Sequence, residues 1–230
     1  MLGCLEPGYH RLYPDLPAMG CSPAPPAIAS SDDVLAELDR FVGERIGDRP
    51  FLLIGESYGG YLARALARVH RDRVRGLALI CPIGTKVEHA ERTVPPHEVL
   101  RTEPDPDFLA GADPGFLEMA VVRSRETLRR YRAEVQPGLD AADAGAMARI
   151  RRRWVLSSDP EDGPPFERPA LILTGRQDSS VGYLDQFALL PHYPRATYAV
   201  FDVAGHNLQF EQPALFEALV AEWLERAGEP

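Results

Sequence analysis

The stretch Phe51-Leu52-Leu53-Ile54-Gly55-Glu56-Ser57-Tyr58-Gly59-Gly60 constrains this chain more than any other. Its four leading apolar residues read as a buried strand. Residues 58–70, rich in the small side chains of Ala63, Ala65 and Ala67, read as a helix able to lie close against a sheet. Only two or three residues are left in which to turn from strand to helix. Gly55 and Gly59, two residues either side of Ser57, make so sharp a turn affordable and leave the serine side chain exposed at its tip. A serine held in this way is a candidate nucleophile.

The flanking residues repeat the alternation. Residues 9–13 read as a short strand, and the proline-rich stretch 14–26 as a loop, because each proline removes a donor and biases its predecessor away from helix. Ser30-Ser31-Asp32-Asp33 offers caps for a helix whose apolar positions Val34, Leu35, Leu38, Phe41, Val42 and Ile46 follow a 3.6-residue period. Residues 74–80 are a further strand, closed by Cys81-Pro82. Strand, helix, strand, helix, strand in succession predicts an α/β fold, a mostly parallel sheet with helices on both faces.

Between residues 86 and 166 the strand signals stop. Helices are expected near residues 116–134 and 141–156, among proline-containing loops. This stretch reads as a helical cap inserted into one core formed by residues 1–85 and 167–230. Its Arg151-Arg152-Arg153 run is read as a solvated helix face. Strands resume at residues 169–175 and 197–201, with a helix around 183–190 between them and an amphipathic helix at 214–226 after them.

At 230 residues with 45% apolar content the chain can bury a sizeable core. Its net charge of −9 disfavours nucleic-acid binding. Cys4, Cys21 and Cys81 are odd in number and far apart, which suggests neither a disulfide framework nor a zinc site. The chain shows no membrane span and no signal peptide. Leu2-Gly3-Cys4 lacks the apolar segment that a lipoprotein cleavage site requires, so a cytoplasmic location is expected.

Asp178 and His206 join Ser57 at predicted strand ends, and the carboxyl edge of a parallel sheet is where ligands bind. A serine needs an imidazole to take its proton, and the imidazole needs a carboxylate to hold its tautomer. Asp185 and Asp202 compete with Asp178 for the acid. Asp185 falls within a predicted helix and Asp202 stands only four residues before the histidine. Of His10, His70, His89, His97, His192 and His206, only the last follows both a late strand and a glycine. Glu56 reads as a polar partner rather than a second acid.

Gly55-Glu56-Ser57-Tyr58-Gly59, Gly175-Arg176-Gln177-Asp178 and Ala204-Gly205-His206-Asn207, in that order, resemble the nucleophile elbow, acid loop and histidine loop of the α/β-hydrolase superfamily. The loop Tyr13-Pro14-Asp15-Leu16-Pro17 resembles the segment after an early strand of that family. The resemblance implies a serine hydrolase that cleaves a small carboxylic ester or related acyl compound through an acyl-enzyme, with the Tyr58 backbone N–H at the oxyanion. It implies no cofactor and no metal, and a small-molecule substrate, with neither nucleic acid nor membrane as a partner. It also implies an upstream central strand and a His-Gly loop carrying a second oxyanion donor. The residues before Asp15 hold neither, so the expected fold is N-terminally truncated. The alternative expectation is a catalytically impaired relative that binds a small ligand or partner.

Overall fold

A computed structural model of the chain describes residues 8–228. Helix α1 (Ser31–Arg45) leads to strand β1 (Phe51–Glu56), helix α2 (Tyr58–Val69) and strand β2 (Val74–Ile80). Strands β3 (Arg101–Thr102) and β4 (Val122–Arg123) and helices α3 (Pro114–Met119), α4 (Arg125–Glu134), α5 (Gln136–Asp140) and α6 (Ala144–Arg151) fill the next stretch. The chain then returns through β5 (Ala170–Gly175), α7 (Leu184–Phe187), β6 (Ala196–Phe201), α8 (Leu208–Glu211) and α9 (Pro213–Gly228).

Four of the strands form one parallel sheet in the order β1-β2-β5-β6. All six residues of β5 are buried, as a strand covered on both faces requires. Alternation along the strands sorts the two faces. Leu77, Leu79, Ala170 and Ile172 pack with Ala63, Ala67, Leu189 and Tyr193. On the opposite face Ala78, Ile80, Leu171 and Leu173 share a core with Phe216, Val220 and Trp223 of α9. The Trp223 indole N–H also donates to the Pro169 carbonyl at 3.1 Å, so the last helix is pinned to the foot of β5.

Several expected elements are altered. Residues 9–13 are exposed and join no strand among the described residues. Strand β1 is therefore an edge of the sheet, and Phe51 to Ile54 are half-buried rather than buried. The helix expected at 116–134 is interrupted: Ser124 starts a new helix with a capping box, and Val122–Arg123 pairs in parallel with Arg101–Thr102. Strand pairing thus does occur between residues 86 and 166. The helix expected at 141–156 is confined to α6, because the Asp143 side chain caps it by accepting from Ala146 N–H. The helix expected at 183–190 is a single turn, followed by a 3₁₀ turn containing Pro191.

One buried ion pair ties Glu161 to helix α2. Arg64 of α2, fully buried, donates to both carboxylate oxygens of Glu161 at 2.8 and 2.6 Å and to the carbonyls of Ile83 and Gly84. The Tyr193 hydroxyl donates to the same carboxylate at 2.7 Å. Replacing Glu161 with alanine leaves a guanidinium buried without its counter-charge, a defect expected to cost roughly 3–5 kcal/mol. Urea denaturation of Glu161→Ala measures this directly, and a loss below about 1 kcal/mol, within the range of an exposed pair, would contradict the assignment.

Candidate active site

Ser57 occupies the turn between β1 and α2 with φ 55° and ψ −119°, outside the regions an L-residue prefers. Its strained backbone is held from three sides. Ser57 N–H donates to Ile80 O at 3.0 Å, while Ser57 O accepts from Gly60, Tyr61 and Ile83 N–H at 3.1, 3.2 and 3.1 Å. Such a conformation costs of order 1–3 kcal/mol and persists where surrounding bonds over-determine it.

The glycines that permit the turn are not the pair expected. A Cβ on Gly55 would lie 2.4 Å from the Gly59 carbonyl oxygen, and one on Gly60 would lie 2.8 Å from the Cβ of Pro82. A Cβ on Gly59 meets nothing within 4 Å. Gly55 and Gly60 are therefore the obligatory pair, and Gly59 leaves open space beside the serine.

Asp178 and His206 stand on the loops after β5 and β6. Asp178 is completely buried; its Oδ1 accepts from Ser180 and Val181 N–H at 2.8 and 3.0 Å, and its Oδ2 lies 2.8 Å from His206 Nδ1. Gly175 makes this meeting of loops possible, since a Cβ there would lie 2.3 Å from the Gly205 carbonyl oxygen. Burial opposes the charge on Asp178, but the His206 charge and hydrogen bond, with the two backbone donors, hold its pKa below the ordinary value. Burial likewise opposes the imidazolium, yet Asp178 and then Glu56 outweigh it and raise the His206 pKa. Asp185 instead accepts from Thr93 N–H and pairs with Lys86, and Asp202 accepts from Gln177 Nε2. Neither competes for the histidine.

Ser57, Asp178 and His206 thus all follow strands at one edge of the sheet. The structure joins Asp178 to His206, while no hydrogen bond links Ser57 Oγ to His206 among the described residues. The elbow and the histidine loop are linked instead by Gln209 Nε2, which donates to Glu56 Oε1 at 3.1 Å. Glu56 is accordingly a polar partner whose charge acts on His206. The Tyr58 N–H, at the free first turn of α2, is bonded to no acceptor among the described residues. Its side chain stacks on Trp154 with ring centroids 3.9 Å apart and donates to Ser31 Oγ at 2.9 Å, fastening Trp154 beside the elbow.

Two residues at this edge have no local sequence signal. Glu211, buried on α8, accepts from Val121 and Val122 N–H at 2.7 and 3.0 Å and from Gly205 N–H at 2.6 Å, so one carboxylate holds β4 against the histidine loop. Cys81, fully buried with φ 41°, follows β2, and its thiol faces the Gly205 carbonyl at 3.5 Å.

A four-stranded parallel sheet with helices on both faces, a strained serine turn and a buried Asp-His pair define a class of hydrolytic enzyme. The chain matches the α/β-hydrolase fold family over residues 1–213 and belongs to it. It is 29% identical over 229 residues to the 2-hydroxymuconate semialdehyde hydrolase of Pseudomonas sp. (strain CF600), spanning 94% of this chain and 76% of that protein. Identity is 25% over 233 residues with the 2-hydroxy-6-oxononadienedioate/2-hydroxy-6-oxononatrienedioate hydrolase of Burkholderia vietnamiensis (strain G4 / LMG 22486), spanning 95% and 77%. An alpha/beta superfamily hydrolase from Oenococcus oeni PSU-1 aligns with a TM-score of 0.84 and 28% identity, over 94% of this chain and 80% of that one. The chain is an α/β-hydrolase. No helix among its described residues is long and apolar enough to cross a membrane.

The steric reading of the elbow separates the three glycines. Gly55→Ala is expected to lower the melting temperature by more than about 5 °C, the consequence of a defect of a few kcal/mol in a chain of this size. Gly59→Ala is expected to leave it unchanged or raised. Equal melting temperatures for the two variants, measured by calorimetry, would contradict that reading.

Proposed function

We propose that this hydrolase is serine-dependent, with Ser57 as nucleophile, His206 as general base and then acid, and Asp178 as the residue that orients His206. The observation that carries the proposal is the 2.8 Å contact of Asp178 Oδ2 with His206 Nδ1 on loops adjoining a strained serine turn. Nδ1 is committed to Asp178, which leaves Nε2 as the base. In unliganded enzymes the serine-to-histidine hydrogen bond is often long and closes when substrate binds.

Ser57 Oγ attacks a carbonyl carbon as Nε2 takes the hydroxyl proton. The developing oxyanion is met by Tyr58 N–H at the start of α2, where the helix end favours negative charge. Collapse breaks the bond from the carbonyl to the leaving group, which receives the proton from His206. Water then repeats the sequence on the acyl-enzyme and releases Ser57. Residues 86–166 serve as the cap over this edge, with Trp154 stacked on Tyr58 and Glu211 holding β4.

For the substrate, the relatives' names favour a small acyl compound in which the bond broken is carbon–carbon, as in a 2-hydroxymuconate semialdehyde, over an ordinary carboxylic ester. An activated ester remains a useful probe, because Ser57 would acylate with either leaving group.

Ser57→Ala is expected to lower kcat for 2-hydroxymuconate semialdehyde and for a p-nitrophenyl ester by at least about a thousandfold. Retention of wild-type turnover would overturn the assignment. The base must be neutral to act, so the acid limb of kcat/KM is expected above the ordinary histidine value of 6.5. Asp178 and Glu56 raise that limb and the Arg92 charge opposes them. Glu56→Gln removes one of the raising charges, and its limb is expected at lower pH than in the wild type. A shift to higher pH, read from pH–rate profiles, would contradict this electrostatic account.

A further inference from the structure

We propose that Cys81, Asp178 and His206 form a binding site for a thiophilic divalent cation such as Zn²⁺, and that its occupation switches the hydrolase off. One ligand atom from each residue, the thiol sulfur, a carboxylate oxygen and an imidazole nitrogen, lies within 4.8 Å of the others. The loops that bring them together are fixed. Cys81 N–H donates to Leu173 O at 2.8 Å, Asp178 Oδ1 is held by two backbone donors, and Gly205 N–H is held by Glu211. The left-handed backbone of Cys81 belongs to that arrangement.

The donor set suits zinc: one soft thiolate, one imidazole and one carboxylate. Tetrahedral bonds of the usual lengths place such donors about 3.5 Å apart, so the Asp178 Oδ2–His206 Nδ1 contact of 2.8 Å would open by less than about 1 Å while the Cys81 sulfur, within 4.8 Å of both partners, closes by about 1 Å.

Binding has a defined proton balance. The Cys81 thiol releases one proton to solvent. The imidazole proton leaves Nδ1, which becomes the ligand atom, and is carried on Nε2 in the other tautomer. With Nε2 protonated, His206 has no lone pair left to accept the serine proton. The inhibitory consequence rests on the reading of His206 as base, while the binding itself does not.

Cd²⁺ is the probe, because its thiolate complex has an ultraviolet charge-transfer absorption that reports sulfur ligation without reference to activity. A Cys4→Ser, Cys21→Ser background removes the other thiols. In that background Cd²⁺ is expected to bind one per chain with the thiolate absorption, and turnover of a p-nitrophenyl ester is expected to fall with the same midpoint. Adding Cys81→Ala, with folding checked by thermal melting, is expected to abolish the absorption and raise the inhibitory midpoint at least about tenfold. Absence of the absorption in the background protein, or an unaltered inhibitory midpoint without Cys81, would overturn the site. Stoichiometric absorption with undiminished turnover would overturn the inhibitory role. The absorption in a protein that has no turnover even without metal would support the site while refuting the proposed function.

Discussion

At Gly55 the backbone of β1 passes so near the first turn of α2 that one added carbon would sit 2.4 Å from the Gly59 carbonyl oxygen. The same happens at the end of β5, where a carbon on Gly175 would sit 2.3 Å from the carbonyl of Gly205. These two close approaches set the geometry of the sheet's carboxyl edge. The first forces the chain through a conformation that leaves Ser57 at the tip of a turn. The second lets the Asp178 loop reach the His206 loop. Both are backbone contacts with no flexible side chain to give way, so the edge is rigid for steric reasons before any charge is considered.

Charge then acts on that scaffold. Asp178 is fully buried, and it stays ionised because His206 and two backbone donors compensate the loss of water. His206 gains the complementary stabilisation of its protonated form. Glu56 adds a second negative charge from the elbow itself, through a carboxylate that Gln209 binds. The imidazole thus lies in the field of two carboxyl groups, Asp178 in direct contact and Glu56 acting through its charge. Cys81 lies at the same edge, fully buried, with burial first and then the Asp178 and Glu56 charges pushing its thiol pKa up.

Much of this was legible in the amino-acid order because its signals are local. A strand run, a glycine, a serine and a helix are consecutive residues, and Asp178 and His206 each follow their own strand directly. What could not be read depends on contacts between distant positions. Glu211 is an unremarkable helix residue until Val121, 90 positions earlier, donates to it. Cys81 was set aside by cysteine spacing, since its companions are contributed by two other loops, 97 and 125 residues further on by the numbering. The helix expected at 116–134 fails for a related reason: Ser124 caps a new helix just after Val121 and Val122, whose N–H groups are bound by Glu211, far along the chain. Residues 9–13 carry a strand-like pattern that finds no partner among the described residues, because alternation specifies a face and not a neighbour.

The central claim is that the strained turn and the Asp-His pair act together to make Ser57 a nucleophile. Covalent labelling by a fluorophosphonate, with the modified peptide identified by mass spectrometry, tests it most directly. The account predicts modification at Ser57 at a rate that rises with pH as His206 loses its proton and that collapses in His206→Ala. Labelling elsewhere in the chain, or labelling of Ser57 no faster than in the denatured protein, would contradict it.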